Sequence, residues 1–252
     1  MSFPSVSVIT AVRNGRTSIA DTLRSVANQT YGAKEHIVQD GVSVDGTQQV
    51  VRELGIESVM FVSEPDTGVY DAFNRGLRRA SGDVIAFLGA DDVYFSNDVL
   101  AQVADGFRND RLEVLFGDVV FVRPDDSPSV IRYYRSAHFR PNRLRRGSMP
   151  AHPATFVRRS VFERYGEFDP SYRIAGDFEW FARVFGRIPP AWQHVPEVLV
   201  KMRLGGLSTA GPRATWLITN EMRRACRANG IATGYLSLLS RLPGKVAELV
   251  RR

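Results

Sequence analysis

The chain has 252 residues, 44% of them hydrophobic, and a formal net charge of +6 at pH 7. This length and apolar content are enough to bury a sizeable core, and they favour one large α/β domain over two small ones. The single cysteine, Cys226, excludes an intrachain disulfide and indicates a reducing compartment. The N-terminus lacks the features of a secretion signal, and no apolar run reaches the roughly 18 residues of a membrane span, so we expect a cytoplasmic protein.

The positive charge is unevenly distributed along the chain. The segment 132–164 contains nine arginines against one acidic residue, Glu163, which leaves a local charge of +8. Such a segment is typical of surfaces that face nucleic acid, anionic lipid or a phosphorylated substrate, and also of a surface that simply faces water. Three aromatic residues interleaved with the arginines, Tyr133, Tyr134 and Phe139, keep a nucleic-acid-binding function open as an alternative.

The N-terminal part of the chain repeats one pattern, in which an apolar run of strand length is followed by a turn and a helix. The strand-like runs are 5–12, 35–39, 58–63 and 84–88. The helices after the first three runs have apolar residues at helical spacing, namely Ile19, Leu23, Val26, Val50, Val51, Leu54, Val69, Phe73 and Leu77. This alternation predicts a largely parallel sheet flanked by helices.

Acidic residues follow three of these strands. Asp40 follows the second strand, Asp66 the third, and the pair Asp91 and Asp92 the fourth. In a parallel sheet these positions meet at one edge, where ligands bind and where one or two carboxylates hold Mg²⁺ or Mn²⁺ together with substrate phosphates. An Asp pair also suits a helix cap, but Ser96 is the better predicted cap of the next helix. We therefore predict a metal and nucleotide site at this edge.

The glycine-rich phosphate-binding motifs are absent from the sequence. No G-x-G-x-x-G follows the first strand, and no G-x-x-x-x-G-K-[ST] occurs anywhere. Phosphates at this sheet edge must then be held by a metal ion. A phosphatase of the haloacid type is disfavoured, because it needs a nucleophilic Asp after the first strand, where this chain has Arg13 and Asn14.

The second half of the chain predicts a mixed sheet and a further acidic site. The runs 114–122 and 129–134 flank a turn-forming segment and are typical of a hairpin. His152 lies between two prolines in an irregular segment, and Asp177 opens an aromatic helix as a functional acid, as its N-cap, or as both. That helix is expected to bury Phe178, Phe181 and Phe185.

A series of motifs resembles the family-2 glycosyltransferases of the GT-A fold over roughly 4–208. The motifs are VSVITAVRNG, QDGVSVDGT, EPDTGVYDAFNRGLRRASGDVIAFLGADD, HPATFVRRSVF, GEFDP, AGDFEW and GGLS. The chain is especially similar to bacterial members that build cell-surface polysaccharides and glycolipids. The resemblance implies an α/β fold, a single Rossmann-like GT-A domain with a mixed, mainly parallel sheet flanked by helices, followed by a C-terminal helical tail.

We accordingly expect the catalytic domain in residues 1–212 and a helical extension in 213–252. Within the domain, residues 1–92 form the expected nucleotide-binding half and 93–212 the expected acceptor-binding half.

The resemblance also implies roles for individual residues. The expected nucleotide-binding residues are Thr10, Val12, Asn14, Asp40, Asp66 and Asp91. The D-x-D metal motif of the family appears as Ala90-Asp91-Asp92 without its first acid, so Asp92 is the expected direct metal ligand, with His152 as a second metal-site residue. Asp177 is the expected catalytic base, and Glu179 is the alternative. Residues expected near the diphosphate or the acceptor are Arg203, Gly206 and Ser208.

The activity implied by the resemblance is a metal-dependent, inverting transfer of a sugar from a nucleoside-diphosphate sugar to an acceptor hydroxyl. One base suffices for inversion, and Mn²⁺ or Mg²⁺ stabilises the departing diphosphate. The implied partners are a UDP, GDP or dTDP sugar and a glycan or lipid-linked acceptor, and no nucleic acid. A nucleotide-sugar-binding protein without catalysis is a further alternative, but the presence of both Asp92 and Asp177 argues against it.

The tail 223–252 has seven cations against one acid, Glu248, with apolar residues on either side of a Pro243-Gly244 break. Basic amphipathic helices of this kind lie in membrane interfaces, where each cation gains about 1 kcal/mol near an anionic surface. The tail therefore predicts either peripheral attachment to the inner face of an anionic cell membrane or helices packed on the catalytic domain.

Overall fold

A computed structural model describes residues 3–123, 129–204 and 211–241 of the protein. The strands are β1 (Val6–Val12), β2 (Lys34–Asp40), β3 (Val59–Ser63), β4 (Val84–Phe87), β5 (Val93–Tyr94), β6 (Val114–Val122), β7 (Val130–Tyr134), β8 (Thr155–Arg158) and β9 (Trp192–Arg203). The helices are α1 (Ile19–Ala27), α2 (Thr47–Leu54), α3 (Val69–Arg79), α4 (Val99–Gly106), α5 (Arg159–Tyr165), α6 (Gly176–Phe185), α7 (Pro212–Ala228) and α8 (Tyr235–Leu239). Short 3₁₀ segments at Ser136–His138, Pro141–Arg146 and His152–Ala154 lie between β7 and β8.

The strands form one mixed sheet in the order β3-β2-β1-β4-β8-β6-β9-β5, and β7 pairs with β6. Strands β1 to β4 are parallel, so the segments that follow them leave the sheet at one edge. Strand β8 is antiparallel to both β4 and β6, and β9 is parallel to β6. The predicted mixed sheet and the antiparallel pairing of β6 with β7 are confirmed. The predicted turn between these two strands, residues 124–128, lies outside the described residues.

Apolar helix faces pack on this sheet as the sequence predicts. Helix α1 buries Ile19, Leu23 and Val26, and α6 buries Phe178, Phe181 and Phe185, each of them at most 1% exposed. Full burial of a side chain of this size contributes about 1.5–3 kcal/mol relative to exposure. The two helices are therefore held on the sheet mainly by the burial of their apolar faces.

Two helix starts differ from the prediction because a distant side chain bonds the first turn. Helix α4 begins after Asp98 and not after Ser96, and its Leu100 N–H donates at 3.0 Å to Oε1 of Gln29, in the loop after α1. Helix α6 has Ala175 as its N-cap, so Asp177 lies inside the first turn and is not the cap. Neighbouring side chains alone were therefore insufficient to locate the two helix starts.

Helices α7 and α8 pack against the domain. Met222 of α7 is 8% exposed, while Cys226 of α7 and Leu238 of α8 are 0% exposed, within the apolar cluster that contains α6. Ser237 of α8 donates to the carbonyl of Arg145 at 2.9 Å. Up to residue 241 the tail thus follows the second of the two predictions made for it, and residues 242–252 lie outside the described part of the chain. None of the helices in the described ranges is long and apolar enough to cross a membrane.

Candidate active site

The acidic residues that follow the parallel strands meet at one edge of the sheet. A Cβ atom on Gly41, directly after β2, would overlap the carboxylate of Asp66, which follows β3. A Cβ atom on Gly15, in the loop after β1, would lie 3.8 Å from the Cβ atom of Ala90, in the turn after β4. The loops after all four parallel strands are therefore neighbours, as the topology predicts.

Asp91 and Asp92 lie in a tight turn directly after β4. Asp92 is 5% exposed, and burial together with the neighbouring Asp91 carboxylate raises its pKa well above the usual range. Burial also raises the pKa of Asp91, which is the more exposed of the two. A Cβ atom on Gly89 would come within 2.7 Å of Asp92 Oδ2, so the glycine leaves room for this carboxylate.

Arg203, at the end of β9, lies next to this acid pair. Its guanidinium forms an ion pair with Asp21 of α1 at 2.7 Å. The backbone N–H and the charge of Arg203 lower the pKa of Asp92, but burial raises it by more. The structure thus brings Arg203 to the predicted metal site, whereas Gly206 and Ser208 lie outside the described residues.

Asp91 and Asp92 fit a divalent cation that is shared with phosphates. Two adjacent carboxylates in a partly buried turn repel each other, and a cation relieves that repulsion. Within 3–123, 129–204 and 211–241, no group of three His, Cys, Asp or Glu residues is arranged to hold a metal. Asp91, Asp92 and His152 thus do not form a three-ligand site among the described residues, and the metal role of His152 stays a prediction. Mg²⁺ commonly completes a site of one or two carboxylates with substrate phosphates.

Asp40 is 0% exposed at the end of β2. Its Oδ1 accepts a hydrogen bond from Ser43 Oγ at 2.5 Å, and its Oδ2 accepts bonds from Ser63 Oγ at 2.6 Å and from the Ser43 N–H at 3.1 Å. These bonds occupy both carboxylate oxygens and fix the loop after β2. A direct contact between Asp40 and a nucleotide would have to share the carboxylate with these bonds.

The loop after β2 is also bonded to Asn14, in the loop after β1. Asn14 accepts the Val44 N–H on its Oδ1 at 3.0 Å and donates its own N–H to Ser43 Oγ at 2.7 Å. Both Asn14 and Val42 have a φ of 56°. For the β-branched Val42 this left-handed conformation costs about 1–3 kcal/mol, and such strain is concentrated at functional sites. Asn14 therefore holds together two of the loops predicted to bind the nucleotide.

Thr10 and Val12, two further expected nucleotide contacts, have their side chains inside the sheet layer. Thr10 is 0% exposed, and its Oγ1 lies 2.9 Å from Nε2 of His36. Burial lowers the pKa of His36 to about 3, so the imidazole is neutral. Val12 is 5% exposed and packs in an apolar cluster with Ile19. Both side chains support the edge of the sheet from within, and neither is exposed for a ligand.

Asp177 lies half-buried in the first turn of α6. Its Oδ1 accepts a hydrogen bond from the Phe178 N–H at 2.7 Å and one from the Tyr70 hydroxyl at 3.3 Å. Burial raises the pKa of Asp177 to about 6. Tyr70 lies in the first turn of α3, after the loop of Asp66, so this contact joins the acidic edge of the sheet to α6. A carboxyl group with a pKa near neutrality is well matched to accept a proton from a substrate.

Glu221 of α7 holds the backbone in front of Asp177. Its Oε1 accepts the N–H of Arg173 at 2.8 Å, and its Oε2 accepts the N–H groups of Ile174 at 2.9 Å and Ala175 at 2.8 Å. Burial is the main cause of the raised pKa of Asp177, and hydrogen bonds oppose it. The charge of Glu221 is a smaller cause that also raises this pKa. The sequence analysis did not identify Glu221.

Glu179, the alternative base, is paired inside the protein. It is 6% exposed, forms an ion pair with Arg183 at 2.9 Å, and accepts a hydrogen bond at 3.3 Å from Asn229, which directly follows α7. The carboxyl group of Glu179 is therefore occupied by these partners. Of the two acids in the first turn of α6, Asp177 is therefore the better placed to meet a substrate.

His152 is surrounded by aromatic rings. Its ring centroid lies 5.4 Å from that of Phe87, 5.6 Å from Phe168 and 5.8 Å from Phe73. Burial lowers the pKa of His152 to about 4, so the imidazole is neutral. Among the described residues its buried Nε2 has no hydrogen-bond partner, which costs about 1–3 kcal/mol. A polar group of a ligand would satisfy this nitrogen.

A cavity of about 230 Å³ joins Asp177 and His152. Its apolar wall comes from Met149, Ile174, Met202, Ile218 and Met222. Met202 directly precedes Arg203, so the cavity reaches the strand that contacts the Asp91–Asp92 turn. One edge of the sheet therefore combines a proton acceptor, a pair of carboxylates suited to a cation, and a cavity with an apolar wall.

Several arginines of the basic segment 132–164 bond the protein itself. Arg158 donates to backbone carbonyls before β6, and Arg159 donates to backbone carbonyls in the turn before β4. Arg164 forms an ion pair with Glu113 at 2.5 Å. Through these bonds Arg158 and Arg159 stabilise turns and are not available for a polyanion. The exposed members of the segment are Arg135, Arg140, Arg143, Arg145, Arg146 and Arg164.

Comparisons with known proteins agree with this geometry. The family model described as Glycosyl transferase family 2 matches residues 7–166. The PGL/p-HBAD biosynthesis glycosyltransferase of Mycobacterium bovis is 31% identical over 220 residues, which cover 82% of this chain and 80% of the relative. Glycosyltransferase AglE of Haloferax volcanii is 26% identical over 186 residues, which cover 71% of this chain and 61% of the relative.

Solved structures share the fold at low sequence identity. S. aureus TarS 1-349 in complex with UDP-GlcNAc has a TM-score of 0.69 at 16% identity, with 94% of this chain and 71% of that chain covered. The mannosyltransferase PcManGT from Pyrobaculum calidifontis, in complex with GDP-Man and Mn²⁺, has a TM-score of 0.62 at 19% identity, with 100% and 82% covered. These likenesses show a GT-A fold. Since the family model matches more than half of the chain, this protein is a glycosyltransferase that belongs to Glycosyl transferase family 2.

Proposed function

We propose that this glycosyltransferase moves a sugar from a nucleoside-diphosphate sugar to an acceptor hydroxyl with inversion, using Asp177 as the base and Mn²⁺ or Mg²⁺ at Asp91 and Asp92. The observation that carries the proposal is the placement of Asp177. Its carboxyl group, whose pKa is about 6, lines a cavity that reaches the strand beside the acid pair. The ligands named for TarS (UDP-GlcNAc) and for PcManGT (GDP-Man and Mn²⁺) support this class of donor and the use of a metal.

Asp177 takes the proton of the acceptor hydroxyl while the hydroxyl oxygen attacks the anomeric carbon of the donor. The bond between that carbon and the diphosphate oxygen breaks, and the nucleoside diphosphate leaves with the electron pair. A single displacement inverts the anomeric carbon and requires no second carboxylate as nucleophile. The Phe178 N–H bonds Oδ1 of Asp177 at 2.7 Å, which leaves Oδ2 to receive the proton.

The metal ion would be held by Asp91 and Asp92 together with the donor phosphates. When bound, it supplies positive charge that stabilises the departing diphosphate. Arg203, whose charge already acts on both carboxyl groups, adds a fixed positive charge on the same side. In this role the ion pair between Arg203 and Asp21 positions the guanidinium.

The nucleoside would lie on the loops after β2 and β3. Asp66 is partly exposed there, and its Oδ1 accepts the Gly68 N–H at 3.0 Å. Asp66 is therefore the better placed acid for a direct contact with the nucleoside, while buried Asp40 fixes the loop on which the nucleobase rests. Loop contacts select among the nucleobases of UDP, GDP and dTDP, and a panel of nucleotides measures that preference.

We further propose a surface-glycan or glycolipid acceptor and peripheral contact with an anionic membrane. Trp216 of α7 is 59% exposed and stacks on Tyr235, and Leu236 of α8 is 88% exposed. Arg145, an exposed cation, is bonded to α8 through its carbonyl. Apolar side chains next to cations suit a membrane interface. Flotation with anionic vesicles tests this: Leu236→Ser should float less than the wild type, and equal flotation would contradict the contact.

A panel of nucleotide sugars, with and without Mn²⁺, tests the main proposal. A donor present at a hundred times its Kd should raise the free energy of unfolding by about 2.7 kcal/mol. The variant Asp177→Asn should keep this stabilisation and lose sugar transfer, because the amide keeps an acceptor at Oδ1 but takes no proton. A normal rate of sugar transfer by Asp177→Asn would exclude Asp177 as the catalytic base. Donor binding without transfer by the wild type would instead support a nucleotide-sugar-binding protein.

A further inference from the structure

Arg241 lines the same cavity as Asp177. It follows helix α8 and is half-buried. Its guanidinium donates to the carbonyl of Leu238 at 3.0 Å and to Oγ1 of Thr219 at 3.1 Å. Both partners are neutral, so they offer hydrogen bonds without a compensating charge.

The guanidinium of Arg241 lacks a counter-charge in the described part of the chain. Burial lowers the pKa of Arg241, and no carboxylate is a cause of that shift. Arginine nevertheless stays protonated in proteins, so the cavity wall contains a permanent cation. The other charged groups on this wall are Asp177 and Arg132, and the guanidinium of Arg132 stacks on Phe121. A partly buried cation that has hydrogen bonds but no counter-charge among the described residues is costly, and that cost falls when an anion binds.

The size and walls of the cavity indicate which group accompanies such an anion. Its volume of about 230 Å³ exceeds the roughly 150 Å³ that accommodates a benzene ring, so a ring-sized group fits. The thioether side chains Met149, Met202 and Met222 form much of the wall. Methionines adapt to apolar and aromatic groups and make favourable contacts with ring edges. The wall therefore suits a group of about one ring.

We propose that the acceptor carries a ring-sized apolar group and an anionic group, with the apolar group among the three methionines, the anion at Arg241 and the reactive hydroxyl at Asp177. The anion is a carboxylate or a phosphate, since a guanidinium binds either in a bidentate manner. This inference rests on the proposed function, because it takes Asp177 as the point of transfer.

Titration with small aryl probes tests the inference. The wild-type protein is first saturated with Mn²⁺ and the nucleoside diphosphate that stabilises it most, so that the donor site is closed to phosphate. Phenyl phosphate and benzoate are then compared with phenol and inorganic phosphate by calorimetry. At least one aryl anion should bind tenfold more tightly than both controls, and the stronger of the two identifies the anion. Equal affinities for the aryl anions and for phenol would overturn the proposal. This comparison needs only the wild-type protein.

A pair of variants locates the anion. Arg241→Met should weaken the preferred aryl anion at least tenfold and leave phenol unchanged, because methionine keeps the apolar stem without the charge. Arg146→Met, which removes an exposed cation from the neighbouring 3₁₀ segment, should leave both affinities unchanged. Equal binding by Arg241→Met and the wild type would overturn the assignment. Failure of the proposed function appears separately, as a lack of nucleotide binding in the first step.

Discussion

The carboxylate of Glu221 accepts a hydrogen bond of 2.8 Å from the backbone N–H of Ala175, the N-cap of helix α6. It accepts two more from the N–H groups of Arg173 and Ile174. An acid on α7 thereby fixes the backbone that leads into Asp177. This contact couples the C-terminal helices to the residue proposed to take the proton.

Replacing Glu221 with Gln should slow transfer and shift its pH dependence. The amide keeps the size of the side chain but offers one acceptor oxygen in place of two, and losing one hydrogen bond that holds the base corresponds to roughly tenfold in kcat. Loss of the negative charge lowers the pKa of Asp177, so the acid limb of the rate profile should move to lower pH. The measurement is kcat between pH 5 and 9, with Glu163→Gln as the exposed control. A uniform loss without a shifted limb would indicate a packing role alone.

Asp177→Asn should stabilise the protein while it abolishes transfer. The folded-state pKa of Asp177 is about 6, above the roughly 3.9 of an unfolded chain, so ionisation is disfavoured in the fold. The free energy of unfolding should therefore fall as pH rises from about 4 to about 6 and stay lowered above that. At pH 8 the free energy of unfolding of Asp177→Asn should exceed that of the wild type by on the order of 1–3 kcal/mol. Urea unfolding at pH 4 and pH 8 measures this, and an equal effect at both values would contradict it.

Asp92→Asn should remove the metal dependence of donor binding. Because burial and the Asp91 carboxylate disfavour ionised Asp92, the amide should also raise the stability of the metal-free protein. Thermal unfolding with and without Mn²⁺ and donor measures both effects. Asp91→Asn shows whether the more exposed acid contributes equally to metal-dependent donor binding. Asp105→Asn, at an exposed position of α4, is the control. An unchanged Mn²⁺-dependent gain in Asp92→Asn would remove this residue from the metal site.

Val42→Gly should stabilise the fold by about 1 kcal/mol. Val42 has a φ of 56°, where a β-branched residue is strained and glycine is not. Val44→Gly is a matched control two residues away, since it makes the same change at an 87% exposed site without a positive φ. The control should lose about 0.5–1 kcal/mol through the greater freedom of glycine in the unfolded chain. If both variants lose stability equally in urea titrations, the strain at Val42 is negligible.

The N-terminal half of the fold was predictable because each βα unit contains its own apolar run, turn and helix. The later strands offer much less local pattern. Strand β5 has two residues and β8 has four, and β9 includes Pro196 and charged residues among its apolar ones. These strands exist because they pair with strands that are distant in sequence: β8 pairs with β4 and β6, β9 pairs with β6, and β5 pairs with β9. Non-local pairing of this kind leaves no periodic signal.

The candidate site divides in the same way. The acids after β2, β3 and β4 were predictable because topology alone brings them to one edge. Glu221 was not, although it lies three residues after Ile218 and four before Ala225 on the apolar face of α7, where an acid is unusual. Arg241 depends on the docking of α8, which no pattern in the sequence specifies. Thr10 and Val12 have buried side chains because β1 is central and covered on both faces, and their contact with the nucleotide stays a prediction.

The dependence of Asp177 on Glu221 also sets an order of assembly during synthesis. The loops around Asp40, Asp66 and Asp92 all precede β6, so they emerge from the ribosome early. Asp177 emerges much later, and its backbone is fixed only when the middle of α7 has followed it. With Asp177 in its proposed role, the donor loops of a nascent chain are therefore made before the segments that position the base.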